Sequence, residues 1–597
     1  MADGNWVMAA RLADFEAVDR RVGSAGDRPV LVLNHGGTFY AVDNRCPHMG
    51  FPLDKGTVGD CILTCHWHHA RFDLASGGTF DQFADNVRSY PVEVRGDAVW
   101  VDVAPRQDDR AHQLARLHDG LERDIRLVVA KTTIALLDRD GDPGEPFRVG
   151  LEFGTKYRAA GWGQGLTMLT CFANLLPYLD PEDRPRALYH GLHAVSVEST
   201  GMAPRFVIDP LPSATADLPT LKRWFRQFLE VRDEEGAERC LVSAIHKGAT
   251  SAEVADILFS AITDHRYIQI GHPADFANKA LEALDIAGWE SAEPALSSLV
   301  RGIARAGRME ESNAWRHPID LVAMAEATFA DLPVAAEAGA RAREAGRRWA
   351  GRVSLAQQLL SDSPRANLDV LAQCLREGAT AEEVAGAVAY AAALRMARFH
   401  TSNEFGDWDT VLHTFTFANA MHQAIRRVSG ASQDRAAAGP TPAEWTLPLL
   451  RGVIDAALSI YLDRFLNTPP ARPPEPQANG HRPGDVLAEL LPLLDRQQRV
   501  NEAGEVVARY LAAGGDASRL LATLGKALLR EDRDFHTIQT IEAAYRQHSL
   551  LMGTPEASHV LVAAARYLAA HAPTVRAQGQ TFQIAERLHR GEKLYEE

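Results

Sequence analysis

The sequence predicts a multidomain protein of two unlike parts: an N-terminal all-β domain, then a large all-α domain built of about four helical repeats. Three observations predict it. Alternating runs such as "PVLVLNHGGTFYAVDN" (29–44) and "YPVEVRGDAVWVDV" (90–103) read as hairpin strands. After the polar stretch "APRQDDRAH" (104–112) the alternation gives way to Ala- and Leu-rich segments at helical spacing, as in "EEVAGAVAYAAALRMARF" (382–399). Within that second part, one helix–turn–helix segment recurs.

Among the strands, "CPHMGFPLDKGTVGDCILTCHWH" (46–68) holds two mixed pairs, Cys46 with His48 and Cys65 with His68, sixteen residues apart. Two thiolates and two imidazoles also suit a lone zinc, but zinc modules usually pair Cys with Cys and His with His. The mixed pairs instead suit a [2Fe–2S] cluster, with Cys46 and Cys65 on one iron and His48 and His68 on the other. This spacing, with "CPHMG" before the gap and "WHHARFD" after it, resembles a Rieske ferredoxin, and the resemblance covers residues 5 to about 103. It implies an all-β domain over 1–105 and a [2Fe–2S] cofactor. Respiratory Rieske proteins carry an extra cysteine beside each ligand pair; here Met49, Gly50 and His66 stand in those neighbourhoods, and Cys61 has no obvious partner. The resemblance is therefore to the soluble ferredoxin type, with a potential near the low end of roughly −150 to +300 mV. His69 stands where that family usually has glycine, which implies either a strained backbone or a surface group.

From 113 onward the elements read as helices. The segments "CLVSAIHKGATSAEVADILFSAITDHRYIQIGH" from Cys240 and "LAQCLREGATAEEVAGAVAYAAALRMARFH" from Leu371 share a helix end, a Gly-Ala-Thr turn and a new helix. Thr250 with Glu253, and Thr380 with Glu383, form capping boxes at those starts. A third copy begins at Tyr510 with Asp516 as cap. The next helix recurs as "FANKALEAL", "FANAMHQAI" and, from a degenerate first copy, "CFANLLPYL". The reading is a helical domain over 113–466 with the first three units, a Pro-rich linker or loop at 467–484, and a last unit at 485–597 packing on the same domain. Smaller breaks fall at "DPEDRP" and "GASQDRAAAGPTP".

Histidines recur in register. His272, His400 and His536 follow the turn glycines Gly248, Gly378 and Gly514 by 24, 22 and 22 residues, and His190, His317 and His559 share a second register. A recurring histidine also caps or packs a helix, so only a subset of the six is expected to bind metal. Asp275, Asp320, Glu404 and His193 are candidates for remaining positions, and Trp162, Trp289, Trp408 and Phe415 for the wall of an apolar pocket.

Rieske oxygenases place an acidic residue shortly before two closely spaced histidines; "DWDTVLHTFTFANAMH", with Asp409, His413 and His422, comes nearest without matching. The segments "HGLH", "HPIDLV" and "DFHTIQTIEAAYRQH" resemble the questin-oxidase-like family over most of 120–590, which implies oxidation of an aromatic compound. The Gly-Ala-Thr helix start also resembles carboxymuconolactone decarboxylase-like proteins, whose catalytic cysteines are absent.

A net charge of −15 gives no basic surface for nucleic acid. No basic start with an apolar core and no run of eighteen apolar residues is present, so the expectation is no membrane and a cytoplasmic setting. No Gly-x-Gly-x-x-Gly follows a strand, which points to an external reductase or ferredoxin as electron source. The functional reading is an oxidoreductase, an O2-dependent oxygenase. Its cluster passes electrons to a second, non-haem iron or other divalent metal, and a small organic substrate is oxidised. The alternative is a Rieske electron carrier or redox sensor fused to a helical docking scaffold.

Overall fold

A computed structural model describes residues 5–594 except 26–27, 105–108, 139–140, 213–214, 434–441, 475–479 and 481. Parts of the segments read as breaks at 104–112, 430–442 and 467–484 lie outside the described residues. The chain divides into two compact units, residues 1–146 with 580–597, and residues 147–579.

Among its described residues the first unit carries ten strands in three antiparallel sheets. Strands β1 (Trp6–Arg11), β9 (Val92–Arg95) and β10 (Ala98–Asp102) form one. A second runs β2 (Arg20–Ala25), β3 (Arg28–His35), β4 (Thr38–Asp43), β8 (Ser89–Tyr90), and the third β5 (Thr57–Gly59), β6 (Ile62–Thr64), β7 (Arg71–Asp73). Both alternating runs are hairpins with two-residue turns. In the β3–β4 turn, Gly36 and Gly37 take φ of 61° and 83°, the left-handed pair such turns need. Alternate residues divide between two cores: Val30 and Val32 pack with Val99 and Val101, while Leu31 and Leu33 pack with Leu63, Phe72, Cys46 and Cys65.

Three helices complete this unit: α1 (Asp109–Glu122), α2 (Arg126–Leu137) and, near the C-terminus, α8 (Ala577–His589), of which residues from 580 on belong to it. Polar contacts account for the grouping. Arg116 pairs with Asp85 at 3.2 Å and donates to the Ala84 carbonyl, Lys131 donates to the Pro47 carbonyl, and Arg45 donates to the Glu592 carbonyl. The compact division thus falls at 146 and 579, and the junction read at 104–112 lies inside the first unit.

The second unit is helical. Capping boxes at Thr250–Glu253 and Thr380–Glu383 and the Asp516 cap are all formed. Ala381–Ala397 is buried on nearly every side from Ala387 onward, as expected where small residues line all faces. Among the described residues one helix, Trp445–Leu466, is long and apolar enough to cross a membrane, and 78% of its most apolar stretch is buried inside the protein. Four helices carrying the recurring segments pack in a ring: α3 (Gln164–Leu175), α4 (His272–Ala287), α6 (Phe405–Gln433) and α7 (Phe535–Leu550). Helix α5 (Ala292–Arg305) lies against α4.

The ring's interior is polar in its middle. Asn174 donates to Glu282 and Glu542 at 2.7 and 3.0 Å, and Lys279, 1% exposed, bridges the same two carboxylates at 2.7 and 2.5 Å. Burial lowers the Lys279 pKa, but the two carboxylates outweigh it and hold the ammonium charged.

Candidate functional site

Two loops of the first unit present Cys46 with His48 and Cys65 with His68. They are built alike: the Cys46 N–H donates to the Phe51 carbonyl and the Cys65 N–H to the Ala70 carbonyl, each at 2.8 Å and each five residues on. Four residues after each cysteine the backbone turns left-handed, at Gly50 (φ 78°) in one loop and His69 (φ 60°) in the other. His69 therefore occupies a position glycine fills without strain. Asn44 and Asp54 brace the first loop through reciprocal bonds of 2.7 and 2.8 Å.

Cys46 and Cys65 are buried and their thiols share a hydrogen bond. That bond, with backbone N–H groups of Trp67 and His68, pulls Cys65 down to about 6 despite burial, while the same bond and burial push Cys46 up. The imidazoles of His48 and His68 lie 4.9 Å apart, centroid to centroid. Burial, then the neighbouring His68 and Lys131, lowers His48 to about 4, so it is neutral at pH 7.

The Rieske [2Fe-2S] domain family matches residues 5–91. Apoptosis-inducing factor 3 of Homo sapiens is 32% identical over 104 residues, 17% of this chain and 16% of that one. The ferredoxin component of biphenyl 2,3-dioxygenase from Rhodococcus jostii is 34% identical over 79 residues, 13% of this chain and 74% of that protein. The ferredoxin component of the alkene monooxygenase system from Xanthobacter autotrophicus is 31% identical over 104 residues, 17% and 85%. Through this domain the chain belongs to the Rieske [2Fe-2S] family. The domain is homologous to ferredoxin components of oxygenases and implies a [2Fe–2S] cluster. Residues of the two loops fit that group. The buried His48 Nδ1 has no hydrogen-bond partner among the described residues, the two thiols are adjacent, and backbone amides already point at both sulfurs.

The described part of the helical unit holds one further convergence. His272 on α4, His413 on α6 and His536 on α7 place one ring nitrogen each within 4.8 Å of one another, a spacing that small ring rotations bring to one ion. Their ring centroids lie 4.9 Å (His272 to His413), 4.8 Å (His413 to His536) and 5.8 Å (His272 to His536) apart. The His413 Nδ1 meets the Asp409 carbonyl at 2.5 Å, which fixes the proton on Nδ1 and leaves the Nε2 lone pair free. Burial, then the other two rings, lowers His413 to about 4, and burial lowers His536. Asp275, 1% exposed, sits 3.7 Å from the His272 Nδ1 and accepts from the Thr416 hydroxyl at 3.2 Å. Its Oδ1 and the His272 Nδ1 are buried with no hydrogen-bond partner among the described residues. Gly271 allows this approach, since a Cβ there would lie 2.3 Å from the Phe417 ring.

Of the six register histidines, the geometry brings together His272 and His536. His400 instead bonds Ser402 at 2.7 Å, and His559 bonds the Tyr390 hydroxyl at 2.8 Å. His190 is buried beside Arg186, and His317 is exposed. Asp320 caps the helix Leu321–Glu344, Glu404 is exposed, and His193 stacks on Tyr189. The third imidazole is His413, and the sequence carried its signal: "HPADFAN" and "HTFTFAN" share H-x-x-x-F-A-N, with His272 and His413 alike four residues before the phenylalanine. Counting from the turn glycine selected His400, because α6 begins two turns before His413 and shifts the register. Trp162 lines a cavity beside His272, whereas Trp408 packs between Phe399 and Tyr567.

Proposed function

We propose that the chain is an oxidoreductase in which Cys46, His48, Cys65 and His68 hold the [2Fe–2S] cluster and His272, His413 and His536, with Asp275 beside them, hold a non-haem iron. When bound, the cluster supplies electrons one at a time and the iron supplies a place for O2 to be activated. The reaction proposed is oxygenation of a small organic compound, aromatic compounds among them. Inserting one oxygen atom into a C–H bond consumes O2, two electrons and two protons and releases water. The electrons come from an external reductase or ferredoxin. The proposed setting is cytoplasmic, where the four cysteines outside the cluster, Cys61, Cys171, Cys240 and Cys374, stay reduced.

The observation that carries this reading is the convergence of three imidazoles from three helices beside two buried atoms without a hydrogen-bond partner among the described residues, the His272 Nδ1 and the Asp275 Oδ1. Buried polar atoms are rarely left unpaired, and a cation satisfies both. Here Asp409 orients His413, Thr416 orients Asp275, and burial disfavours protonation of His413 and His536. The test is iron content after anaerobic purification. About three irons per chain are expected, two for the cluster and one more; only two in a protein with an intact cluster would favour the electron carrier on a docking scaffold.

A further inference from the structure

Beside the histidine cluster lies a cavity of about 280 Å³, walled by Trp162, Tyr267, Ile270, Phe276, Leu299 and Ile303 and bounded on one side by His272. Three features mark it as more than a packing defect. First, His272 belongs both to its wall and to the cluster, so an occupant lies against the candidate iron ligand. Second, Tyr267 lines the cavity and is 2% exposed, and its buried hydroxyl has no hydrogen-bond partner among the described residues, a cost of burial that a turn of the ring toward a ligand oxygen in the cavity would remove. Third, Gly302 on α5 and Gly307 just beyond it line the cavity where an added Cβ would meet nothing within 4 Å. A glycine inside a helix is unfavourable relative to alanine, and here no neighbour requires it. A larger side chain there would project into the mouth of the cavity. Ile270, 46% exposed, adds an apolar surface to its lining.

We propose that this cavity is the substrate site, and that it takes a compact apolar molecule of one or two rings carrying a single hydrogen-bonding oxygen that meets the Tyr267 hydroxyl. This rests on the iron-site reading for its chemistry, but not for its binding. The volume sets the size class: an apolar cavity of about 150 Å³ accepts benzene, and drug-sized ligands occupy about 300–1,000 Å³. The lining offers no charged side chain, so a carboxylate or ammonium would be desolvated without a partner.

The test is equilibrium binding of 1-naphthol and naphthalene to the full-length protein, read by tryptophan fluorescence, with and without bound metal. Wild type should bind both, 1-naphthol about fivefold more tightly. Tyr267→Phe should bring the two to parity, and Gly302→Phe should weaken both by about tenfold or more with unchanged helical circular dichroism. Gly302→Ala, which adds only a methyl group, should bind nearly as wild type. The proposal is overturned if neither probe binds, if Tyr267→Phe leaves the ratio unchanged, or if Gly302→Phe leaves both affinities unchanged. Persistence of binding in metal-free protein and in His413→Ala separates the two readings: iron can then be absent while the cavity assignment stands, and loss of binding with iron retained sinks only the cavity.

Discussion

The two candidate metal sites hold similar ligand types but are assembled in opposite ways. Cys46, His48, Cys65 and His68 come from 23 consecutive residues, on two loops each closed by its own backbone bond. His272, His413 and His536 are 141 and 123 residues apart and meet because α4, α6 and α7 pack against one another. A loop site keeps its geometry through local hydrogen bonds, so its spacing is visible in the chain. A bundle site borrows its geometry from the core, and its integrity depends on every helix that builds that core.

The sharpest way to break this comparison is to remove a thiolate. Cys46→Ser or Cys65→Ser should abolish the visible absorption and electron-spin signal of the cluster, since a hard hydroxyl replaces a soft ligand. Thermal unfolding of the helical unit should be unchanged. A surviving cluster would refute the ligand assignment.

The converse change sits in the bundle. Lys279→Met leaves Glu282 and Glu542 facing one another in the core with only Arg546, at 3.7 and 3.2 Å, as a bridging cation. About 3–5 kcal/mol of stability should be lost, measured as a lower urea midpoint of the helical signal, with the cluster spectrum intact. A midpoint within error of wild type would show that the polar ring is not what holds the helices together.

Acid sharpens the contrast further. Burial holds His422 at about 4 and His190 at about 3, so both are neutral in the folded helical unit, while in the unfolded chain they take up protons near 6.5. The unfolded state binds more protons across this range, so stability is fully present above about 6.5 and falls as pH drops toward 4, by roughly 3 kcal/mol for His422 alone. His422→Gln should flatten the slope of urea midpoint against pH. An unchanged slope would contradict the buried, neutral assignment.

The smallest effect belongs to the loops. His69→Gly relieves a left-handed backbone, and the β unit should gain about 0.5–1 kcal/mol in its unfolding midpoint with the cluster spectrum kept. Loss of stability would mean the His69 side chain makes up for its strain.

Much of this was legible in the chain. The mixed pairs at 46–68 marked the two loops of the candidate cluster site, the alternating runs marked the β3–β4 and β9–β10 hairpins, and Thr250, Thr380 and Asp516 marked helix starts, because each depends on neighbours a few residues away. The histidine cluster was half legible. His272 and His536 lie at the starts of their helices, where distance from the preceding turn predicts them, but His413 lies two turns inside α6, and only its place before Phe417 aligns it with His272. The grouping of α1, α2 and the C-terminal residues with the cluster domain was not legible, since it rests on single long-range bonds such as Lys131 to Pro47 and Arg45 to Glu592.

The most direct test of a second, packing-assembled metal site is ⁵⁷Fe Mössbauer spectroscopy of anaerobically reduced wild type and His413→Ala. The account predicts a high-spin ferrous doublet holding about one third of the iron beside the two cluster irons, absent from His413→Ala while the cluster components persist. A wild-type spectrum with all iron in the cluster, or a ferrous doublet unchanged in His413→Ala, would contradict it.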